Sequence, residues 1–252
     1  MIGPDAPTVL EARDLVRSFG AVRAVDGISF AVREGEILGV IGPNGSGKST
    51  LFNCLLGQLL PSAGQVLLDG RDVTGMRPAA LNRLGVSRTF QLLQVFPQLS
   101  VRDNLILAGQ EHVGSRIARL FGSPDAGLGA AADRMLGLFR LEALAAEMAA
   151  SLSYGQQKLL DAAIAFMAGP RLVLLDEPAG GVNPTLLAGF RERLRAMNTE
   201  AGATFVVIEH NMEFVMSLCT RVICIAQGKI IANGAPAAVR ADPAVIEAYL
   251  GD

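Results

Sequence analysis

The stretch GPNGSGKST, residues 42–50, limits what this chain can fold into more than any other part of the sequence. It directly follows the apolar run ILGVI at residues 37–41 and leads into the apolar pattern TLFNCLL. Its glycines, lysine and serine stand at the spacing of a phosphate loop, which requires a strand before it and a helix after it. Glycines let successive backbone N–H groups approach a phosphate, because a Cβ would block the approach or forbid the dihedral angles. The sequence therefore predicts a strand, a phosphate-binding loop and a helix, whereas the alternative is a glycine-rich turn that binds nothing.

The residues of this loop have distinct expected roles. Lys48 offers its ammonium to the β and γ phosphates of a nucleotide, and Ser49 offers its hydroxyl oxygen to Mg²⁺. The N-terminus of the following helix adds a favourable dipole for an anion. The predicted nucleotide contacts of the loop are Gly42, Pro43, Asn44, Gly45, Ser46, Gly47, Lys48, Ser49 and Thr50.

A second pattern, RLVLLDEP, places the four apolar residues 172–175 directly before two carboxylates. A buried strand that delivers a carboxylate at its carboxyl end is how phosphate-loop enzymes hold Mg²⁺, so Asp176 is a predicted metal ligand. The neighbouring Glu177 is then placed to take a proton from the attacking water or to orient that water. Taken alone, an Asp-Glu pair after a strand is equally typical of a solvated strand end.

Composition excludes several classes of protein. The 252 residues are 50 % hydrophobic, which is enough for one large core with or without a small satellite domain. The formal net charge of −2 gives no electrostatic argument for nucleic-acid binding. Cys54, Cys219 and Cys224 lie in apolar segments without zinc-type spacing, which predicts buried reduced thiols and a cytosolic location. The N-terminus does not resemble a signal peptide, and no run of about 18 uncharged apolar residues predicts a membrane span.

Periodicity along the chain predicts an α/β organisation. Residues 8–35 alternate apolar and polar positions in two stretches, as paired strands do, and residues 65–70 predict a further strand. Helical periodicity follows in VRDNLILAGQ and again over residues 131–150, so that this alanine-rich and leucine-rich block predicts a helical insertion. From residue 171 onward strand and helix signals alternate, which indicates a parallel sheet covered by helices.

The element SLSYGQQ, residues 151–157, precedes an alanine-rich helix. Together with the phosphate loop and LLDEP in this order, it resembles the ATPase subunits of ABC transporters. The usual signature of that family is Leu-Ser-Gly-Gly-Gln, and this chain departs from it at Tyr154 but retains Ser153, Gly155 and Gln156. A serine hydroxyl, a glycine amide and a helix N-terminus form a reasonable anion site. The alternative is an ordinary serine N-cap.

The resemblance implies roles for residues elsewhere in the chain. Gln91, in RTFQLLQVF, matches the family's glutamine loop and would sense Mg²⁺ and the water, while His210, in VVIEHN, matches the switch histidine that contacts the γ-phosphate. Phe19 matches the aromatic residue that stacks on adenine. Asn183 stands where the family commonly has aspartate, and it can still hydrogen-bond backbone across an interface. A surface histidine and a core aromatic residue are the alternatives for His210 and Phe19.

The resemblance covers nearly the whole chain and implies a single ABC ATPase cassette. Its expected α/β fold is a phosphate-loop NTPase core with a mainly parallel sheet, an antiparallel β subdomain and an α-helical insertion. The core with its β subdomain is expected over residues 8–91 and 168–252, and the helical subdomain that carries the signature over residues 92–167.

The resemblance also implies partners. Two ATPase subunits would pair head to tail, so that the signature of one closes over ATP and Mg²⁺ bound to the other. The second subunit would be a related but different chain, with a homodimer as the alternative. Transmembrane permease subunits, and indirectly a solute-binding protein, would complete the assembly at the cytoplasmic face of the inner membrane, where this chain is peripheral. The apolar residues expected either to line a groove for a permease helix or to pack the insertion against the core are Leu92, Leu93, Val95 and Phe96.

Several segments narrow the resemblance to one subfamily. The stretches DEPAGGVNP, EHNMEFVMSLCTRVICIAQGKIIANG and PAAVRADPAVIEAYLGD are similar to the ATPase subunits of importers for branched-chain amino acids and related solutes such as amides or urea. The implied function is ATP hydrolysis that powers import. An exporter ATPase, a soluble ABC protein of translation or DNA repair, and a phosphate-loop kinase or GTPase are the alternatives, and stacking on Phe19 would also tolerate guanine.

Overall fold

Two β-sheets of different kinds organise the fold. The computed structural model describes residues 6–88, 95–110, 126–167 and 169–250. The first sheet is antiparallel and has the strand order β2-β1-β4-β5. Its strands are β1 (Thr8–Phe19), β2 (Val22–Arg33), β4 (Ala63–Leu68) and β5 (Arg71–Asp72).

The second sheet has the strand order β10-β9-β3-β8-β7-β6, and only the β9–β10 pair is antiparallel. Its strands are β3 (Ile37–Ile41), β6 (Val86–Arg88), β7 (Leu172–Asp176), β8 (Thr204–Ile208), β9 (Arg221–Ala226) and β10 (Lys229–Gly234). Every residue of β3, β7 and β8 is buried. Their continuous apolar runs are therefore those of a parallel sheet that is covered on both faces.

The core consists of two clusters, one on each side of the second sheet. Successive residues of a strand point to opposite faces, so that Val173 and Leu175 join one cluster while Leu172 and Leu174 join the other. The second cluster also includes residues of the antiparallel sheet, such as Leu15 on β1. The two sheets are thereby packed through common apolar side chains.

Helices cover these sheets. In chain order they are α1 (Lys48–Leu55), α2 (Pro78–Arg83), α3 (Val101–Gln110), α4 (Ala126–Phe139), α5 (Tyr154–Phe166), α6 (Pro184–Ala201), α7 (Met212–Leu218), α8 (Pro236–Arg240) and α9 (Pro243–Leu250). Helices α3, α4 and α5 stand between β6 and β7 in the chain and pack against one another. Among the described residues, no helix is both long and apolar enough to span a bilayer.

The predicted architecture is confirmed, with one correction. The mainly parallel sheet, the antiparallel strands and the helices between them are present, and the three cysteines are buried and free. The helix expected over residues 131–150 is wrong in its second half, because α4 ends at Phe139 and only two short 3₁₀ turns, Glu142–Leu144 and Ala149–Ser151, follow.

The early end of α4 has a local cause. Arg140 adopts a positive φ of 51°, and the N–H of Leu141 donates to the carbonyl of Leu136. This is the bond pattern of a Schellman cap, in which the apolar residue after the left-handed position packs back against the helix. Leu141 is buried in the core. Because an arginine replaces the usual glycine at the left-handed position, apolar periodicity alone did not indicate the stop.

Candidate functional site

The phosphate loop lies between β3 and α1, at the carboxyl edge of the parallel strands. Gly47 has φ 104°, and a Cβ there would lie 2.0 Å from the carbonyl oxygen of Ala24. A Cβ on Gly42 would lie 2.0 Å from the carbonyl oxygen of Ile225. Both glycines are therefore required by the close approach of neighbouring strands as well as by their dihedral angles. Gly45, by contrast, has φ 73° and open space around its Cβ position.

Lys48 is folded back into this loop. Its Nζ donates to the carbonyl oxygens of Gly42 and Pro43, both at 2.7 Å, and to Ser46 Oγ at 3.4 Å. Asn44, Gly45 and Ser49 are exposed, so the loop opens outward on that side. The ammonium is held inside the curve that the loop's backbone describes, which is where an anion bound by the loop would meet it.

Asp176 ends β7 and is buried. Its Oδ2 accepts a hydrogen bond of 2.6 Å from a terminal nitrogen of Arg88, and this ion pair is itself largely buried. Arg88 also donates to Asn53 Oδ1 on α1 and to Gln58 Oε1. Sequence reasoning missed Arg88, although a charged residue at the end of a short strand, three residues before Gln91, was a usable signal.

The oxygen donors of the predicted metal site suit Mg²⁺. In the described part of the chain no group of three or more His, Cys, Asp or Glu side chains is placed to hold a metal ion. Mg²⁺ is commonly held by one or two protein oxygens together with water and substrate phosphates, rather than by a full protein cage. The Ser49 hydroxyl and the Asp176 carboxylate therefore fit that ion, and Gln91 lies outside the described residues.

Glu177 and His210 come close at the ends of β7 and β8, which are neighbours in the sheet. His210 Nδ1 lies 3.9 Å from Glu177 Oε1, beyond hydrogen-bonding distance, and the side chains are 59 % and 33 % exposed respectively. Glu177 has the positive φ of 47°, and its N–H donates to the carbonyl of Ile208. The structure thus brings the predicted base and the predicted switch histidine together while leaving both accessible to solvent.

Glu209 is a buried carboxylate that sequence reasoning quoted but did not assign. It is 0 % exposed. Its Oε1 accepts from the N–H of Ala179 at 2.7 Å, and its Oε2 accepts from the N–H groups of His210 and Asn211 at 2.7 and 2.8 Å. A charged residue directly after the apolar run TFVVI was the available signal, because a charged residue at the end of a covered strand must find partners.

Ser153 caps α5. The N–H of Gln156 donates to Ser153 Oγ at 3.4 Å, and the N–H of Ser153 donates to Gln156 Oε1 at 2.8 Å, which together form a capping box. Gly155 is buried, and a Cβ there would lie 2.7 Å from Leu186 Cδ1. The ordinary serine N-cap that the sequence left open is therefore present, and it holds the hydroxyl at the helix N-terminus.

The first turns of α5 contact the loop that follows β7. Lys158 Nζ donates to the carbonyl oxygen of Glu177 at 3.0 Å and lies 5.5 Å from the ring centroid of Tyr154. A Cβ on Gly181 would lie 2.6 Å from the Tyr154 ring. Burial lowers the pKa of Lys158, while the charges of Glu209 and Glu177 act to raise it. The signature helix and the segment after Glu177 are thus joined by a half-buried ammonium that sequence reasoning did not single out.

The remaining predicted residues lie in different surroundings. Phe19 is 47 % exposed at the end of β1, with the Arg17 guanidinium 4.8 Å from its ring centroid, so it is not a core aromatic residue. Asn183 caps α6 by accepting from the N–H of Leu186. Val95 packs against the core while Phe96 is exposed, and Leu92 and Leu93 lie outside the described residues.

The C-terminal helix α9 reaches the phosphate loop. The hydroxyl oxygen of Tyr249 accepts a hydrogen bond of 2.8 Å from the N–H of Gly42, across 207 residues of chain. Burial raises the pKa of Tyr249 to about 12. No local pattern in the sequence predicts a contact at this separation.

Family models match two parts of this chain. The model described as "ABC transporter" matches residues 25–180, which include the phosphate loop, the signature and the β7 carboxylates. The model described as "Branched-chain amino acid ATP-binding cassette transporter" matches residues 229–252, which include β10, α8 and α9.

Two curated proteins similar to this chain are named as ATP-binding proteins of branched-chain amino acid transport. It is 36 % identical to the high-affinity branched-chain amino acid transport ATP-binding protein BraF of Pseudomonas aeruginosa, with 97 % of this chain and 98 % of that protein covered. It is 34 % identical to LivG of Escherichia coli, which bears the same description, at the same coverage of both chains.

A solved structure has the same fold. A crystal structure of a nucleotide-free ATP-binding cassette from an ABC transporter is 32 % identical to this chain and matches with a TM-score of 0.86, over 97 % of this chain and 100 % of that one. The ADP conformation of such a cassette, 33 % identical, also matches with a TM-score of 0.86, over 97 % of this chain and 99 % of that one.

Proposed function

This chain belongs to the ATP-binding subunits of the ABC transporter family, and from that membership we propose that it hydrolyses ATP to power an importer of branched-chain amino acids or related small solutes. The observation that carries the proposal is the convergence of three stretches at one sheet edge. The phosphate loop, the Asp176–Glu177 pair and His210 lie at the carboxyl ends of β3, β7 and β8, and the sheet order puts β8 between the other two. Ligand sites of such sheets lie at the carboxyl ends of the strands.

The chain's own residues divide the work on ATP. Loop residues 42–50 bind the phosphates through backbone N–H groups, Lys48 turns its ammonium from the loop carbonyls to the β and γ phosphates, and Phe19 stacks on adenine. Ser49, Gln91 and Asp176 are the residues that would hold Mg²⁺, and that ion would supply neutralising charge at the phosphate oxygens.

Hydrolysis then depends on the position of a water molecule. Glu177 accepts a hydrogen bond from the attacking water and aligns it with the γ-phosphate, and His210 holds a γ-phosphate oxygen from the side. The separation of 3.9 Å between these two side chains supports a shared role, since both can reach one small reacting group. Gln91 completes the arrangement as the residue that senses the metal and the water.

The catalytic site is completed by a second ATPase subunit that pairs head to tail with this one. Ser153, Gly155 and Gln156 of the opposite chain close over the γ-phosphate, since a serine hydroxyl at a helix N-terminus favours an anion. ATP then joins the two chains and its hydrolysis weakens their contact. The partner is a related but different chain, and the homodimer is the alternative.

The pair acts on transmembrane permease subunits at the cytoplasmic face of the inner membrane, where this chain is peripheral, and a solute-binding protein delivers the solute. The subfamily assignment is supported by the match over residues 229–252 and by the names of the BraF and LivG relatives. Exposed Phe96, directly after Val95 that packs on the core, supports a docking position for a permease helix.

Capture from membranes tests the proposal. Tagged chain, recovered from detergent-solubilised membranes, is expected to bring down membrane-spanning permease subunits and a second ATPase. Phe96→Asp is expected to reduce that capture by at least about tenfold, because a charge would have to be desolvated in the docking groove. Leu60→Asp is the matched control, since Leu60 is another exposed large apolar residue elsewhere on the chain. Recovery with ribosomes or DNA instead would contradict a transport function.

Uptake tests the solute. Cells whose chain carries Lys48→Ala are expected to lose most of their uptake of labelled leucine, isoleucine and valine, because the loop no longer holds the phosphates. Loss of labelled urea or amide uptake with unchanged leucine uptake would assign the chain to the related solutes. Accumulation of leucine inside those cells would indicate export.

A further inference from the structure

We propose that Glu209 is a positioning residue that locks the loop after β7 to the loop after β8, and so fixes Glu177 and His210 relative to each other. The inference rests on the proposed ATPase function, in which those two side chains act on one water molecule and one phosphate. Glu209 itself would not touch ATP, because its side chain is 0 % exposed.

The geometry links two separate loops through one carboxylate. Oε1 accepts from the N–H of Ala179, which is 30 residues away in the chain and two residues after Glu177. Oε2 accepts from the N–H of His210 and from the N–H of Asn211. One side of the carboxylate therefore holds the backbone just after the predicted base, and the other holds the backbone of the histidine itself.

The burial of Glu209 makes this link a strong one. A carboxylate removed from water is costly unless it is hydrogen-bonded, and bonds from N–H groups to a charged acceptor are roughly twice as strong as neutral ones. All three bonds to Glu209 are 2.7 or 2.8 Å long, in the range of charge-assisted bonds. The fold therefore resists any movement of either loop that would leave this group without its donors.

Neighbouring contacts also hold this loop. The N–H of Glu177 donates to the carbonyl of Ile208, the residue before Glu209, and Lys158 donates to the carbonyl of Glu177. The Lys158 ammonium interacts with the charges of both Glu209 and Glu177. The backbone at and just after Glu177, where φ is positive, is thus held by these two bonds and by the bond from the N–H of Ala179 to Glu209, whose carboxylate also holds the histidine loop.

A glutamine at this position cannot make the same bonds. Its side chain carries one acceptor oxygen and one donor NH₂ group, whereas the site offers N–H donors on both sides. If the oxygen faces His210 and Asn211, the NH₂ group meets the N–H of Ala179, and the two donors repel. Glutamine is nearly the same size as glutamate. Glu209→Gln therefore preserves packing but releases the loop that carries Glu177.

The matched control is Glu36→Gln. Glu36 is also a buried carboxylate, and it accepts from Arg221 and from the N–H of Arg33. It lies directly before β3, at the opposite end of that strand from the phosphate loop. Any general effect of removing a buried charge is shared by both variants, whereas an effect on the two loops belongs to Glu209 alone.

The experiment compares wild type, Glu209→Gln and Glu36→Gln by hydrogen exchange, ATP affinity and turnover. In Glu209→Gln the amide of Ala179 is expected to exchange roughly 10- to 100-fold faster, as for the loss of one hydrogen bond to a charged group. kcat is expected to fall by about 10- to 100-fold, as for a misplaced reacting group. The Kd for ATP should stay within about twofold, because the phosphate loop keeps its contacts. Glu36→Gln should change neither the exchange at Ala179 nor kcat.

A second variant covers the case in which Glu209→Gln does not fold. Glu209→Asp keeps the charge and the local bonds to His210 and Asn211, but its shorter side chain loses Ala179, so the same fall in kcat is expected. Unchanged exchange at Ala179 in both variants would overturn the link, and so would unchanged kcat despite faster exchange. If the wild-type chain hydrolyses no ATP in any assembly, the proposed function fails, whereas the exchange result still decides whether the two loops are joined.

Discussion

In the phosphate loop, a single neighbouring backbone atom can restrict a position to glycine. At Gly47 a methyl group would lie 2.0 Å from the carbonyl oxygen of Ala24, and the backbone there has φ 104°. The obstacle is backbone of the neighbouring strand, which cannot rotate away as a side chain can. Glycine at this position is therefore a requirement of the fold before any phosphate is bound.

Gly47→Ala is expected to cost more stability than the strain of a positive φ alone, which is about 1–2 kcal/mol, and to abolish measurable ATP binding. Chemical denaturation and nucleotide titration measure the two effects. The control is Gly202→Ala, because Gly202 has φ 66° with nothing near its Cβ position and should show the strain without the loss of binding. Equal stability of the two variants would contradict the predicted clash.

Glu177→Gln tests the residue that aligns the water. The variant keeps the shape of the side chain and the backbone bonds to Ile208 and Lys158, so ATP binding should remain within about twofold. Turnover is expected to fall by at least about 100-fold, since a general base contributes 10²–10⁴-fold. Phosphate release measures turnover, and size-exclusion chromatography with ATP should show a trapped pair of chains. Rapid hydrolysis would remove Glu177 from this role.

At the scale of secondary-structure elements, side chains cap the N-termini of α5 and α6. Ser153 and Gln156 bond each other's backbone at the start of α5, and the Asn183 side chain accepts from the N–H of Leu186 at the start of α6. Such caps satisfy N–H groups that a helix leaves open. The hydroxyl of Ser153 is therefore fixed in place by a local structural bond, while it also stands where an anion would be favoured.

Ser153→Ala separates these two roles. Loss of the cap is expected to lower the free energy of unfolding by about 1 kcal/mol. Loss of the contact to a partner's ATP is expected to lower turnover by at least about tenfold without lowering the ATP affinity of the isolated chain. Ser153→Thr is the control, because it retains the hydroxyl and should recover both. A stability change with full turnover in the assembled pair would leave Ser153 with the capping role alone.

The sequence predicted which segments form helices and strands, whereas it did not predict where every helix ends. The apolar runs of β3, β7 and β8 and the alternation of β1 and β2 are strong local patterns, and their strands are as predicted. The end of α4 at Phe139 was missed because it depends on Arg140 adopting a left-handed backbone so that Leu141 can enter the core. Burial of Leu141, which only the packed fold provides, outweighed the helical periodicity of residues 141–150.

At the scale of the whole molecule, the ATP site is expected to need two chains. Specific ATPase activity should therefore rise with protein concentration, or on addition of a second related ATPase, because a composite site forms only in the pair. Steady-state phosphate release over about a hundredfold range of concentration measures this. Activity per chain that stays constant across that range, without any second ATPase, would contradict the shared site.

Desolvation of a thiol and a phenol group makes the stability of the whole fold fall at alkaline pH. Burial raises the pKa of Cys219 to about 12 and that of Tyr249 to about 12, above their ordinary values of 9.0 and 10.0. In the unfolded chain these groups lose their protons first, so the unfolded state is favoured as pH rises from about 9 toward 12. Stability is therefore expected to be full below pH 9 and to fall above it. Thermal unfolding between pH 7 and 10.5 measures this, and Cys219→Ala should show a shallower fall.

Some residues of the candidate site could be predicted from the sequence, whereas others were identified only in the tertiary structure. The phosphate loop, Asp176, Glu177 and His210 were predicted because each belongs to a short pattern of glycines or carboxylates at the end of an apolar strand. Arg88, Lys158, Glu209 and Tyr249 were not assigned, because each acts through a partner far away in the chain. For Tyr249 that partner is the N–H of Gly42, 207 residues earlier.

The sequence by itself determined the order of strands and helices and the chemistry of the residues at the strand ends, since spacing and apolar periodicity are local properties. The tertiary structure alone decided which of those ends meet. Strand β8 lies between β3 and β7, and the burial of Glu209 behind that junction requires its carboxylate to take backbone donors from both neighbouring loops. The physical reason is that a buried charge is stable only where the fold supplies its partners, and partners that are distant in sequence are set by packing.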